Sequence, residues 1–459
     1  MKILHRLRKN LLTPAQFILL GFLAVILLGS VILMLPICAA DGRATPYIDA
    51  LFTATTSVCV TGLVTVSTAY HWSMLGQAVI LLLVQFGGMG VVATMIIIMH
   101  ILKHRIGMKQ RVLIQQTYGL DSIHGVVYFL RRIVRDMLAI ELLGFLCYLP
   151  VLCRQFGSSG IWKALFLSVS AFCNAGMDLM GDNSLAPYVG NYWMNAVTIF
   201  LIVMGGLGFV VWWEMEDHLR AWIRREKSWG QIGRSLSLHA RIVLSTTAAL
   251  LLVGSLLVFL FEYHNPQTLG PLSLPEKCMA ALFQSVTTRT AGFFTVSQAG
   301  LKDATSLVCM FLMFIGGSPA GTAGGVKTVT FAVLLYAIYA EASGREEIVV
   351  HHRTISHDYV RKVLTILGYS FGIWLLMTIV MCAVEQADFM TICYETVSAI
   401  GTVGLTKDLT GTLHVGGKLV IICMMYAGRI GPVTLATAFA TRDKKKDMIH
   451  YADENILLG

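Results

Sequence analysis

Charge is scarce in this chain: only 13% of its 459 residues are Asp, Glu, Lys or Arg, against roughly 25% in soluble globular domains. That deficit excludes an ordinary soluble enzyme. Catalytic signatures are missing as well. There is no H-E-x-x-H, no P-loop lysine motif and no Ser/His pair set in an apolar cavity, so the chain reads as a non-enzyme. Its ten cysteines include no C-x-x-C pair, which removes zinc and dithiol chemistry and leaves small buried hydrophobes. No polar loop is long enough for a nucleotide-binding domain, so energy input or regulation must come from other chains.

Hydrophobic residues are abundant, at 56% of the chain and a mean hydropathy of +0.70. Eight long apolar segments are expected to cross a bilayer as helices, at 14–35, 74–102, 133–152, 192–213, 241–261, 305–340, 363–384 and 416–440. The first is read as a retained helix behind a basic arm rather than a cleaved signal. Between successive pairs lie stretches too short to span, at 47–57, 160–173, 275–287 and 389–400, as expected of re-entrant half-helices.

Each short stretch runs into a related word: Val60-Thr61-Gly62, Asn174-Ala175-Gly176, Thr290-Ala291-Gly292 and Thr402-Val403-Gly404. The glycines are spaced by 114, 116 and 112 residues, and glycine clusters begin 25, 29, 24 and 24 residues later, at Gly87, Gly205, Gly316 and Gly428. Such a beat marks four diverged copies of one unit. The expected fold is an all-α membrane protein of four parallel helix–pore-helix–helix repeats, with pseudo-fourfold symmetry around a single ion pore. The expected limits are repeats at 14–102, 133–213, 241–340 and 363–440. Cytoplasmic segments fill 1–13, 103–132, 214–240, 341–362 and 441–459.

The net charge of +9 is an orientation signal. With both termini cytoplasmic, 25 Lys and Arg fall on that side and 8 on the other, with Lys327 and Arg429 inside helices. Both termini are therefore expected in the cytoplasm of a multi-pass cell-membrane protein, with the glycine words near the outer face. Nucleic acid is not an expected partner. The basic runs are topology determinants and candidate contacts for anionic lipids, while Trp72, Trp162, Trp193, Trp212 and Trp213 are expected as interfacial anchors. His351, His352 and His357 read as members of a solvated loop.

Four irregular segments at membrane depth, arranged about one axis, would turn backbone carbonyls inward and replace the hydration shell of a cation. Glycine suits the turn, and the negative C-terminal ends of the half-helices favour a cation too. Outer-side acids number 11 against 8 bases, giving a weakly negative vestibule. Arg289, inside the third word, is expected to pair with an outer carboxylate such as Asp178 or Glu395 and to brace the turn. The run Gly316-Gly317-Ser318-Pro319-Ala320-Gly321-Thr322-Ala323-Gly324-Gly325 cannot hold a regular helix. By itself it reads as a flexible loop, a packing kink or a small-residue helix contact. Arg429 is an intramembrane cation, functional by default or capping broken-helix carbonyls.

The four words, each after a half-helix, resemble the Trk/Ktr/HKT superfamily of potassium transporters. The start directly at the first unit and the ending Tyr451-Ala452-Asp453-Glu454-Asn455-Ile456 are similar to the membrane subunit of Ktr-type uptake systems. The resemblance implies a channel-like potassium uptake subunit of a bacterial plasma membrane, with K+ as the transported ion and no cofactor in this chain. It implies that Val60, Thr61, Gly62, Asn174, Ala175, Gly176, Thr290, Ala291, Gly292, Thr402, Val403 and Gly404 form a carbonyl selectivity filter that binds K+. Glycine rather than serine at 62 favours potassium over sodium. It also implies a gate at 315–327, including Lys327 and held by Arg429. The expected assembly is a homodimer on a ring of cytosolic nucleotide-binding regulatory subunits. A cation symporter with alternating access is the alternative.

Overall fold

The computed structural model describes residues 14–90, 126–226, 231, 235–431 and 434–435. The N-terminal arm, residues 91–125, the lysine run at 444–446 and the Tyr451 ending lie outside these.

The described chain is helical, apart from one small hairpin. Its helices are α1 (Pro14–Leu33), α2 (Tyr47–Cys59), α3 (Met74–Met89), α4 (Val126–Phe156), α5 (Ser159–Cys173), α6 (Tyr192–Leu207) and α7 (Phe209–Ile223). There follow α8 (Leu238–Glu262), α9 (Leu274–Thr287), α10 (Asp303–Phe314), α11 (Thr328–Ala342), α12 (His357–Val384), α13 (Phe389–Gly401) and α14 (Val415–Ile430). Local chemistry marks the starts. Ser73, Asn191 and Ser237 each accept from the backbone N–H three residues on, at 3.1–3.2 Å. Ser273 and Glu276 close a capping box on α9.

Among the described residues three helices are long and apolar enough to cross a membrane, Leu130–Phe156, Leu238–Glu262 and His357–Val384, or four if the bent pair α6 and α7 is one span. Their surfaces carry exposed Leu143, Leu252 and Ile379. Apolar area of that kind is stable against lipid and unfavourable in water. The short helices α2, α5, α9 and α13 are the opposite case, with most of their residues buried.

Packing follows one order. Within each group the leading helix packs on the short helix: α1 on α2, α4 on α5, α8 on α9 and α12 on α13. The helix after each short one then packs on the next group's short helix: α3 on α5, α6 on α9, α10 on α13, and α14 back on α2. The cycle closes, so the four short helices surround one axis. Lys418 at the start of α14 donates to Asp49 in the first turn of α2 at 2.7 Å across that closing seam.

Several boundaries differ from the sequence expectation. The segment at 192–213 is two helices, bent by 106° at Gly208. Arg131 and Arg132 lie within α4 and are helical rather than in a loop. Residues 214–223 continue α7, and 341–362 holds a two-stranded hairpin, β1 (Ile348–Val350) and β2 (Arg353–Ile355), before α12 begins. His351 and His352 form its tip, both with left-handed φ. Trp72 and Trp212 are buried within the fold, whereas Trp193 is exposed. All ten cysteines are free.

Candidate functional site

A residue with left-handed φ stands two before each glycine: Val60 (55°), Asn174 (59°) and Thr402 (52°) cap their short helices, and Thr290 (66°) lies three residues past the end of α9. A conserved hydrogen-bond pattern within the chain holds three of these turns. Thr61, Ala175 and Val403 donate their N–H groups to the carbonyls of Thr56, Ser170 and Ser398, five residues back, at 2.8–2.9 Å. The hydroxyls of the same three residues brace the strand beyond. Gly62 N–H donates to Thr56 Oγ1 at 2.9 Å, Gly404 N–H to Ser398 Oγ at 3.1 Å, and Met177 N–H to Ser170 Oγ at 3.2 Å. The third turn is tighter, with Ala291 N–H bonded to Thr287 O four residues back at 2.9 Å.

The four glycines come together although they are over a hundred residues apart in sequence. Gly62, Gly176, Gly292 and Gly404 have φ of 102°, 67°, 83° and 95°, a region open to glycine and closed to most other residues. A methyl on Gly62 would lie 2.7 Å from Ala175 O, and one on Gly176 2.8 Å from Ala291 O. One on Gly292 would lie 2.6 Å from Val403 O, and one on Gly404 would meet Thr61 O. The carbonyls and glycines thus interlock in a closed ring of four. The hydroxyls of Thr61, Thr290 and Thr402 are buried without a hydrogen-bond partner among the described residues.

On one side of the ring opens a cavity of about 280 Å³ that all four glycines line. Asp178, Asp182 and Asp408 line it too, so its field favours cations. Burial pushes the Asp178 carboxyl up to about 6; hydrogen bonds from Ser184 and the Met180 N–H and the Lys163 ammonium pull the other way. Lys163 is bonded to Leu179 O and Lys407 to Ser306 Oγ.

On the other side, between α10 and α11, lies the glycine-rich loop. Its neck is pinned by Gly316 N–H to Val326 O at 2.8 Å and Thr328 N–H to Gly317 O at 3.1 Å. Its tip is docked on the α6–α7 break: Ser318 N–H donates to Gly206 O at 2.8 Å, Thr322 N–H to Gly205 O at 3.0 Å, and Phe209 N–H to Ala320 O at 3.2 Å. Thr322 Oγ1 donates to Phe172 O at 3.1 Å. Gly324 meets the Thr402 hydroxyl, and Gly325 approaches Gly401 O, 3.2 Å from where its Cβ would be. Ser318 and Thr322 have no exposed surface. The loop therefore touches the segments just ahead of the second and fourth glycines.

Arg429 lies in the last turn of α14 and not mid-helix. Its Nη1 donates to Thr322 O at 2.5 Å and its Nη2 to Gly87 O, joining the loop to the end of α3. Lys327 folds back on the loop, donating to Ala323 O at 2.7 Å. Arg289 departs from expectation: neither Asp178 nor Glu395 is its partner. Asp178 accepts from Ser184 and Met180, and Glu395 from Thr406 and Thr410. Arg289 Nη2 donates to Gly316 O at 2.9 Å instead. The sequence reading also missed a polar pair behind the second turn: half-buried Gln85 donates its Nε2 to both oxygens of buried Glu141 at 3.0–3.1 Å, with Cys173 Sγ 3.7 Å away. A lone Glu within an apolar 31-residue helix was the available signal.

A family model described as "Cation transport protein", TrkH, matches residues 13–449. Similar proteins include the Ktr system potassium uptake protein B of Bacillus subtilis, 38% identical over 97% of each chain. The potassium/sodium uptake protein NtpJ of Enterococcus hirae is 36% identical over 99% of each chain. Ktr system potassium uptake protein B of Vibrio alginolyticus is 34% identical over 97% of this chain and 94% of its own. The solved potassium transporter TrkH from Vibrio parahaemolyticus superposes with a TM-score of 0.70 over 94% of this chain and 86% of its own, at 18% identity, a likeness of fold.

Proposed function

The chain belongs to the TrkH cation transport family, and on that premise we propose that it is the membrane subunit of a channel-like potassium uptake system. The observation that carries this reading is the closed ring of Gly62, Gly176, Gly292 and Gly404 beneath an acid-lined cavity. Cations collect at Asp178, Asp182 and Asp408. One then exchanges its water for the carbonyls of Val60, Thr61, Asn174, Ala175, Thr290, Ala291, Thr402 and Val403. The low formal charge at the ring suits an ion that must leave as readily as it enters.

The loop at 315–327 is the gate. It sits across the path on the far side of the ring and is held by backbone bonds to Gly205 and Gly206 and by Arg429. Each such bond contributes about 0.5–1.5 kcal/mol net, and those from a charged donor about 1.5–3. A loop tied by a handful of them is stable when closed, yet within reach of a regulatory event of several kcal/mol. Because α7 starts at the bond to Ala320, motion of that helix is transmitted to the loop.

The chain resides in the plasma membrane with both termini cytoplasmic, as a homodimer on a ring of cytosolic nucleotide-binding subunits. The name "Ktr system" borne by its relatives supports a multi-subunit assembly, and the basic cytoplasmic side supports the orientation. The test is ion uptake in a host lacking potassium transport. The wild-type chain with its partner restores growth at low potassium, and Gly62→Ser admits sodium and weakens the preference for potassium. Rescue that is indifferent to Gly62→Ser would refute the filter assignment.

A further inference from the structure

Arg289 stands three residues before the third glycine, where the sister words carry Cys59, Cys173 and Gly401. In those three words the next helix closes in on the backbone. A methyl on Gly87, Gly205 or Gly428 would run into the carbonyl of Val58, Phe172 or Ile400. In the third word the corresponding carbonyl belongs to Thr288, and Gly316 does not pack on it; the nearest atoms to a methyl there come from Gly324 and Gly325. The helix is broken at that point and the loop begins.

The Arg289 side chain bridges this departure. It is buried, with 7% of its surface exposed, and its Nη2 reaches the Gly316 carbonyl at the loop's neck, 2.9 Å away. Among the described residues no carboxylate lies within ion-pair distance of it. Its Nε and Nη1 have no hydrogen-bond partner there. The third turn, which carries it, is also the one closed by a tighter backbone bond than its sisters. A buried guanidinium whose hydrogen-bonded acceptor sits on the loop loses a charge-assisted bond when the loop neck moves. A cation at the adjacent Thr290 and Ala291 carbonyls raises the potential at the same guanidinium.

We infer that Arg289 is a positioning residue that ties the third filter word to the neck of the gate loop, so that ion occupancy of the ring and displacement of the loop are one coupled event. Such coupling is reciprocal: whatever loosens the loop changes ion affinity, and ion binding changes the loop. The inference rests on the filter and gate reading proposed above.

The test is potassium uptake by the full chain with its partner in transport-deficient cells, comparing wild type, R289K, R289Q and R289A. Half-saturating concentration and maximal rate are both measured and corrected for the amount of protein in the membrane. R289Q and R289A shift both parameters together, each by roughly ten- to a hundredfold, the range that follows from losing one charge-assisted hydrogen bond. R289K restores part of both, because an ammonium keeps the charge and one donor. In R289Q/R429A the combined gain in maximal rate falls short of the product of the single gains, because both arginines hold one loop. Variants that move only the half-saturating concentration, only the maximal rate, or neither would overturn the tie. If glutamine and alanine variants are absent from the membrane, R289K alone decides by the same criterion. A wild-type chain without potassium uptake would refute the functional reading instead.

Discussion

Arg429→Ala removes a charged hydrogen-bond donor from the closed loop. The guanidinium spans two elements, with Nη2 on Gly87 O in α3 and Nη1 on Thr322 O in the loop, the latter at 2.5 Å. The bond to α3 anchors the arginine; the bond to Thr322 is the one that parts when the loop moves. A hydrogen bond from a charged donor contributes about 1.5–3 kcal/mol. Since 1.4 kcal/mol is about a factor of ten in an equilibrium, the substitution moves the balance toward the displaced loop by roughly ten- to a hundredfold. The other loop contacts, to Gly205, Gly206 and Phe209, remain, so the loop is loosened and not lost. The assay is rubidium or potassium uptake without the regulatory partner, normalised to protein in the membrane. Wild type shows little partner-independent flux and Arg429→Ala shows much more. An Arg429→Ala protein that elutes like wild type in detergent, yet keeps the wild-type dependence on its partner, refutes the argument that this bond holds the gate.

A smaller effect of the same sign follows from Thr322→Val, which removes the neutral bond from Thr322 Oγ1 to Phe172 O. At about 0.5–1.5 kcal/mol it raises partner-independent uptake only a few-fold. In the outer cavity, Asp178 is held neutral to higher pH than an ordinary carboxyl, up to about 6. Its charge is present above that pH and lost below it, so the potassium concentration for half-maximal uptake rises as external pH falls through about 6, and Asp178→Asn removes that step. Behind the second turn, Glu141→Leu leaves the half-buried Gln85 amide without its acceptor. That costs about 0.5–1.5 kcal/mol, the net worth of an ordinary hydrogen bond, and lowers the midpoint of thermal aggregation in detergent, while Glu141→Gln, which keeps an acceptor, lowers it less.

What was legible in the sequence follows from the kind of physics each feature obeys. The four glycine words stand out because left-handed turns select glycine and small residues whatever surrounds them. Their spacing is visible because the words recur at nearly constant intervals along the chain. Apolar spans are legible from composition alone, since lipid imposes its demand on the side chains of one helix at a time. The break at Gly208 is not told apart by sequence: Gly205-Gly206-Leu207-Gly208 has no proline, and similar glycine clusters stand at Gly87 and Gly428. The bend exists where the loop of another segment lies against it, with the Phe209 N–H committed to Ala320 O.

Arg289 shows the limit most clearly. Its sequence context offers Asp178 and Glu395 as partners because carboxylates are visible in a sequence. Its acceptor is the Gly316 carbonyl, and every residue has a carbonyl, so nothing in the sequence singles one out. The same holds for Arg429 on Thr322 and Gly87, and for the loop tip on Gly205 and Gly206. By itself, then, the sequence determined a helical membrane chain with four glycine turns, because those demands are local. Only the tertiary structure decided which backbone groups meet across the units, since backbone acceptors are alike in every residue and are told apart by position in space.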